Sequence, residues 1–244
     1  MQWKANYTYK RILDEKQKAR RDSLLKSNPA MAGMMKNLYK RIDNRKYLLF
    51  FNQFESVFKK KPAMEKPGHQ SMIRVNILDD KLLYKNIKTK IFSDKRPLFS
   101  ETYIVEDSLP DYHWKITGES KQIGKYTVIK ATGIETYTKG KDKKETTREI
   151  TAWFTPEIPV GNGPQKYWGL PGLIMELKSG QDLYLCDGIT LNPKDKMEIK
   201  APEGGKKMNE KEYKSEMEKR QKKMEKMYKN RRSSKGEKTI RITL

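Results

Sequence analysis

The segment 152–174, AWFTPEIPVGNGPQKYWGLPGLI, sets the hardest condition on the fold, because four prolines and four glycines stand among large apolar side chains. Proline lacks a backbone donor and glycine supplies backbone angles that other residues avoid, so such a run makes neither a helix nor a central strand. Proline stiffening lowers the entropy lost on ordering. The expectation is a structured, partly buried loop that holds Trp153, Phe154, Pro156, Pro159, Tyr167 and Trp168 in fixed positions. Two roles stay open for it. It plugs one end of a curved sheet, or it recognises a ligand, as ordered loops with exposed aromatics do.

The remaining chain supplies the scaffold. Residues 3–13 alternate, with Ala5, Tyr7 and Tyr9 on one face and Lys4, Asn6, Thr8 and Lys10 on the other, which predicts a first strand. Residues 45–58 read as one buried strand through Tyr47-Leu48-Leu49-Phe50-Phe51. Further strand-like patches fall at 72–78, 82–91, 101–107, 113–116, 125–132, 149–154, 173–178 and 183–190. Turn material separates many of them: Asp79-Asp80, Asp94-Lys95-Arg96-Pro97 and Thr138-Lys139-Gly140. Strands at this spacing without long intervening helices predict a mainly β, β-rich α+β fold. Its centre is a curved antiparallel sheet or partly open barrel, with all of 1–244 in one domain.

Helical patterning is confined to two places. Residues 14–26 are rich in helix formers, and after Asn28-Pro29 the residues Met31, Met34, Met35, Leu38 and Ile42 recur at three- and four-residue spacing, which predicts a second short helix. Near the C-terminus, residues 206–234 read as a basic helical excursion. Asn209 and Glu212 are placed for a capping box, acid-first pairs such as Glu216/Arg220 lie four apart, and Tyr213, Met217, Met224 and Tyr228 draw one narrow stripe. The alternating residues 238–244 predict a final strand beyond it.

The chain carries a formal charge of +22, and thirteen Lys and Arg against five Glu between 206 and 235 contribute +8 of it (13 − 5). Such a field attracts nucleic acid, anionic lipid headgroups and phosphate-bearing glycolipid without choosing between them. Tyr84-Lys85-Asn86 and Tyr137-Thr138-Lys139 interleave rings with cations, as single-stranded nucleic-acid binders do, although such lysines equally form the solvent face of a strand.

Catalytic chemistry finds little support. No nucleophile elbow, phosphate-cradling loop, dinucleotide fingerprint or zinc-protease helix is present. One cysteine, Cys186, and two histidines, His69 and His113, allow neither an internal disulfide nor a His/Cys zinc site. Cys186 within Leu-Tyr-Leu-Cys reads as a small core residue. His113 has carboxylates beside it in sequence but no identifiable Ser or Cys partner, and reads as an exposed or edge-strand histidine. Asp79-Asp80 and Glu106-Asp107 lack calcium-loop spacing. No catalytic, metal or cofactor-binding residue is assigned, and no apolar run reaches the length of a membrane-spanning helix.

The residues Gly169-Leu170-Pro171-Gly172-Leu173-Ile174 spell the six-residue motif of the GLPGLI family, and Ala152 to Pro159 with Gly163-Pro164 is similar to that family's flanking pattern. Trp114-Lys115-Ile116, residues 119–123, Lys130-Ala131-Thr132 and the strand at 47–58 also resemble it, as do the basic helix and the ending. Val128 stands where members frequently carry cysteine. The resemblance implies an exported envelope protein of Gram-negative bacteria, periplasmic or associated with the outer membrane, with Met1 replacing a removed signal peptide. It supplies no catalytic residues.

The functional expectation is a non-catalytic binding or accessory protein of the envelope. A curved sheet covered by helices holds a lipid or an extended peptide, and the basic helix can dock on an outer-membrane protein. The alternative is a nucleic-acid-binding protein that uses the high positive charge.

Overall fold

The computed structural model describes residues 1–62, 82–98, 101–139 and 144–236. The chain is β-rich, as expected, with twelve described strands in a single sheet. The expected strands at 72–78 and 238–244 and the Asp79-Asp80 turn lie outside the described residues.

Two antiparallel meanders build the sheet. The first runs through β1 (Trp3–Arg11), β2 (Asn44–Phe51), β3 (Glu55–Lys60), β4 (Leu82–Asn86), β5 (Ile91–Leu98) and β6 (Glu101–Ser108). The second runs through β7 (Lys115–Ile123), β8 (Tyr126–Lys139), β9 (Lys144–Thr155), β10 (Leu173–Ser179) and β11 (Asp182–Leu191). β1 joins them by pairing with β2 on one side and β11 on the other, with Ala5 opposite both Leu49 and Ile189. A three-residue β12 (Lys206–Met208) is added to β6 in parallel. The order is therefore β12-β6-β5-β4-β3-β2-β1-β11-β10-β9-β8-β7, an open sheet in which β12 and β7 are the edges among the described residues.

Short side chains that bend the chain account for two of the departures from expectation. Residues 45–58 are two strands, because the Asn52 carboxamide accepts from the backbone amides of Phe54 (2.9 Å) and Glu55 (2.8 Å) and turns the chain between them. Asn86 does the same, accepting from Lys88 (3.0 Å) and Thr89 (3.1 Å), so residues 82–91 end one strand and begin another. Asp94-Lys95-Arg96-Pro97 is not a turn but the body of β5, and of residues 113–116 only Lys115 and Ile116 are in a strand, as the start of β7.

Helices α1 (Glu15–Ser27) and α2 (Pro29–Asp43) form a hairpin between β1 and β2. A capping box starts α1: Asp14 accepts from Gln17 N (2.8 Å) and the Gln17 side chain accepts from Asp14 N (3.2 Å), a device contributing about 1 kcal/mol. α2 has proline in its first turn, where a missing donor costs nothing. The basic C-terminal helix α3 (Glu210–Gly236) begins at the expected capping box, with Asn209 accepting from Glu212 N (2.8 Å) and Glu212 accepting from Asn209 N (2.9 Å). None of these helices is long and apolar enough to cross a membrane.

The core lies inside the curl of the sheet. Ala5, Tyr7 and Tyr9 of β1, Leu49 and Phe51 of β2, and Phe58 of β3 meet Leu173, Met175 and Leu177 of β10 and Tyr184 and Cys186 of β11 in one apolar cluster. Burial pushes the Cys186 thiol up to about 12, so it stays an inert protonated core residue at neutral pH.

Candidate functional site

The connection between β9 and β10 is built almost entirely from its own backbone hydrogen bonds. Gly169 N donates to Gly161 O (3.0 Å), Ile174 N to Asn162 O (2.9 Å), Leu173 N to Ile158 O (3.0 Å) and Tyr167 N to Pro164 O (3.1 Å). Asn162 and Trp168 form an isolated bridge across it. Ile158, Val160, Tyr167 and Leu170 point into the core, whereas Pro156, Pro159 and Pro171 stay on the surface.

The two glycines of the motif have different tasks. At Gly172 a Cβ would lie 2.1 Å from the Thr155 carbonyl oxygen, so β9 admits only hydrogen there. Gly169 has room for a Cβ beside the Trp114 ring but φ +96°, a conformation that side-chain-bearing residues avoid.

The loop is clasped from both meanders. Lys85 of β4, wholly buried, donates to Gly163 O (2.7 Å) and Tyr167 O (3.1 Å). Ser56 of β3 donates to the Asn162 side chain (3.2 Å), and Tyr7 of β1 donates to Ile174 O (2.6 Å). From the opposite side the Trp114 indole, just before β7, donates to Trp168 O (2.8 Å), and the Trp168 indole donates to Pro110 O (2.8 Å). One loop thus touches β4 and the entry to β7, strands far apart in the sheet order, which requires the sheet to curl around it. Burial alone pushes the Lys85 amine well below its ordinary range.

A second cluster fastens α3 to the loop. Arg96 of β5 lies between the wholly buried Asp94 (2.9 Å) and Glu210 in the first turn of α3, to which it gives two hydrogen bonds (3.0 and 2.9 Å). Lys166 of the loop reaches the same carboxylate (3.2 Å) and sits 3.5 Å from the centre of the Phe92 ring. Burial works to raise the Glu210 carboxyl, but the hydrogen bond from Arg96 and the charges of Lys166 and Arg96 outweigh it, holding the group down at about 2. For Lys166 the balance is reversed: burial wins over Glu210 and lowers the amine. Further along, Arg220 pairs with Glu101 and Glu216, and Tyr213 packs against Tyr103.

Beside the loop lies a cavity of about 250 Å³. Its walls are the rings of Tyr9, Tyr47, Phe58 and Tyr184, with Leu83 among them. Tyr47 and Phe58 stack at 4.9 Å, and Tyr9 and Tyr184 lie 5.2 Å apart. Gln165, held at φ +50°, extends from the loop to the Tyr184 hydroxyl (3.2 Å). Asp182 accepts from the Tyr9 hydroxyl (2.7 Å). Arg45 and Lys60 complete the lining. Burial lowers the Lys60 amine first, and the guanidiniums of Arg45 and Arg41 lower it further, so positive charge is crowded there.

Of the residues singled out in the sequence, Phe154, Tyr167, Leu170, Gly172, Leu173 and Ile174 are buried, and Trp153 and Trp168 are half-buried. Trp153 lies under Lys121, whose amine is 4.2 Å from its ring. His113 is exposed, with φ +47°. Lys85 corrects the solvent-face reading of the Tyr84-Lys85-Asn86 run, since its amine lies inside on the carbonyls of Gly163 and Tyr167. The cavity residues went unnoticed because they come from five strands and the loop. In the clasp Lys85 leaves a local trace: a lysine two residues from Leu83 on one strand face.

No curated protein matches the sequence. Among solved structures, PNGF-II in its C2 and P21 crystal forms is similar to the chain with a TM-score of 0.50, at 13% and 14% identity, over 88% of this chain and 32% of theirs. The chain thus spans about a third of their length, and at that identity the likeness is one of fold. Residues 135–176, which run from the end of β8 through the clasped loop into β10, match the model of a family described as Protein of unknown function (Porph_ging). That match is compatible with the resemblance carried by the GLPGLI residues within it.

Proposed function

We propose that the chain is a binding protein of the bacterial cell envelope whose aromatic cavity takes an apolar group bearing an anionic head. The cavity itself carries the reading: four rings wall a space of about 250 Å³ with Arg45 and Lys60 in its lining. Ligand sites commonly span about 300 to 1,000 Å³, so this space suits the end of an acyl chain or one terminal side chain rather than a whole ligand. A carboxylate or phosphate there would meet the cations of Arg45 and Lys60, which outnumber the one lining carboxylate, Asp182. A lipid and the free C-terminus of an extended peptide share that chemistry. The loop supports the reading by fixing Gln165 at the wall through a network that needs no ligand to order it. The resemblance to exported envelope proteins is what favours that compartment.

Calorimetric titration tests this with a medium-chain fatty acid, its methyl ester, a peptide ending in phenylalanine, and that peptide's C-terminal amide. The acid form of at least one pair should bind, about tenfold or more tighter than its neutral partner, as expected when a charge-assisted hydrogen bond is lost. Which acid binds separates lipid from peptide. Equal binding of acid and neutral forms, or binding of none, overturns the proposal.

A further inference from the structure

The α1–α2 hairpin has no buried residue in either helix, yet α2 is amphipathic, with Met31, Met34 and Leu38 exposed at 49%, 47% and 37%. A helix pair of this length normally owes its stability to a covered apolar face. Its base is held by the pairing of Arg21 with Asp43 and by the Arg21 guanidinium 4.3 Å from the Tyr39 ring. The half-buried Gln17, Arg21 and Leu25 of α1 and Ala32, Met35 and Tyr39 of α2 lie along the seam between the helices. With the seam fixed, the helical repeat places Leu24 of α1 (41% exposed) on the same flank as Met31, Met34 and Leu38 of α2.

The carboxylates sort by flank as well, whereas cations stand on both flanks. Lys16, Arg20 and Arg41 fall on the apolar flank. Of the hairpin's three carboxylates, Glu15 and Asp22 fall on the opposite flank, Glu15 paired there with Lys18 (2.6 Å), and Asp43 is engaged at the seam by Arg21. Leu24 and Met31 sit close to the tip around Asn28, and Arg41 at the base also acts on Lys60 beside the cavity.

We infer that this flank docks on the surface of an anionic lipid bilayer. The inference stands on the hairpin alone and goes beyond the cavity. A raised ridge of flexible Met and Leu side chains suits a deformable acyl boundary, and cations without neighbouring carboxylates suit phosphate headgroups. Lysine and arginine stems lie along the apolar boundary while their charges reach the headgroups.

Vesicle sedimentation of the full chain tests it, using phosphatidylcholine alone and an equimolar mixture with phosphatidylglycerol. A chain of charge +22 adheres to anionic vesicles by charge alone at low salt. The deciding comparison is therefore at ~0.5 M salt, where exposed charges are largely screened. Wild type should stay bound to the anionic vesicles there, while L24S/M31S/M34S, which leaves every charge in place, should partition at least about tenfold less. A Met31→Trp chain should show an added emission component, absent from wild type, that shifts to the blue on vesicles and is quenched by brominated lipid. Equal partitioning of wild type and triple variant, stronger binding to pure phosphatidylcholine, or no shift in the added emission of the Met31→Trp chain overturns the inference. A thermal melt of each variant separates loss of docking from loss of fold.

Discussion

The buried amine of Lys85 on β4 lies 2.7 Å from the carbonyl oxygen of Gly163, so a strand of the first meander holds the loop of the second by a hydrogen bond from an ionisable group. Its substitution by methionine keeps the length and removes the donor. Two carbonyls are then left without their partner, each costing about 1 to 3 kcal/mol, offset in part by the relief of burying an amine. A net loss of about 1 to 3 kcal/mol is expected in denaturant unfolding. The pH dependence gives a second check. The folded amine is held below its unfolded value of 10.5, so the unfolded chain binds the extra proton and wild-type stability rises with pH up to that value. Lys85→Met lacks this rise, and its deficit should grow as the pH is raised. A constant deficit would mean that the amine titrates normally.

The motif glycines should separate in their response to alanine. Gly172→Ala drives a methyl group to 2.1 Å from the Thr155 carbonyl oxygen and has no flexible neighbour to displace, for an expected loss of about 3 kcal/mol or more. Gly169→Ala meets nothing nearer than the Trp114 ring at 3.7 Å and suffers only the backbone penalty, about 1 to 2 kcal/mol. Chemical denaturation of the two variants measures the difference, and equal losses would contradict the assignment of one glycine to space and the other to conformation.

Glu210 makes the junction of α3, β5 and the loop sensitive to acid. Its carboxyl is lowered from 4.5 to about 2, so its contribution is complete above 4.5 and disappears as pH falls toward 2. Glu210→Gln should lose about 1 to 3 kcal/mol at neutral pH, with partial exposure limiting the upper end. The gap from wild type should close as the pH drops through that window. Unfolding titrations at several pH values give the result, and a gap independent of pH would exclude the carboxylate as the cause.

Filling the cavity should abolish binding without harming the fold. Leu83 is buried at its wall, and Leu83→Trp extends a ring into the space of about 250 Å³. The acid ligand should bind at least about tenfold more weakly, while the melting temperature holds or rises as apolar area is buried. Unchanged affinity in calorimetry would place the ligand elsewhere.

The sequence made legible what depends on short-range pattern. β1, β6, β10, β11 and α2 follow from alternation or helical spacing, and the ordered character of the 152–174 segment follows from its prolines and glycines. β5 was hidden because Asp94 and Arg96 look like turn residues until Glu210, over a hundred positions later, is known to meet Arg96. The single strand expected at 45–58 failed at Asn52, whose side chain imitates a backbone turn within an apolar run. β12 is three residues long and parallel to β6, and carries no pattern of its own. The cavity depends on register between strands. Tyr9 comes beside Tyr184 only because β1 pairs with β11.

That central pairing also sets the order of events when the chain is made. Until β11 emerges, β1 is the unpaired edge of an unfinished half, with Tyr7 and Tyr9 lacking their cover. Such a fragment invites edge-to-edge sticking. Slow closure through distant contacts prolongs that exposure, so the first meander stays open to other chains for as long as the second is missing.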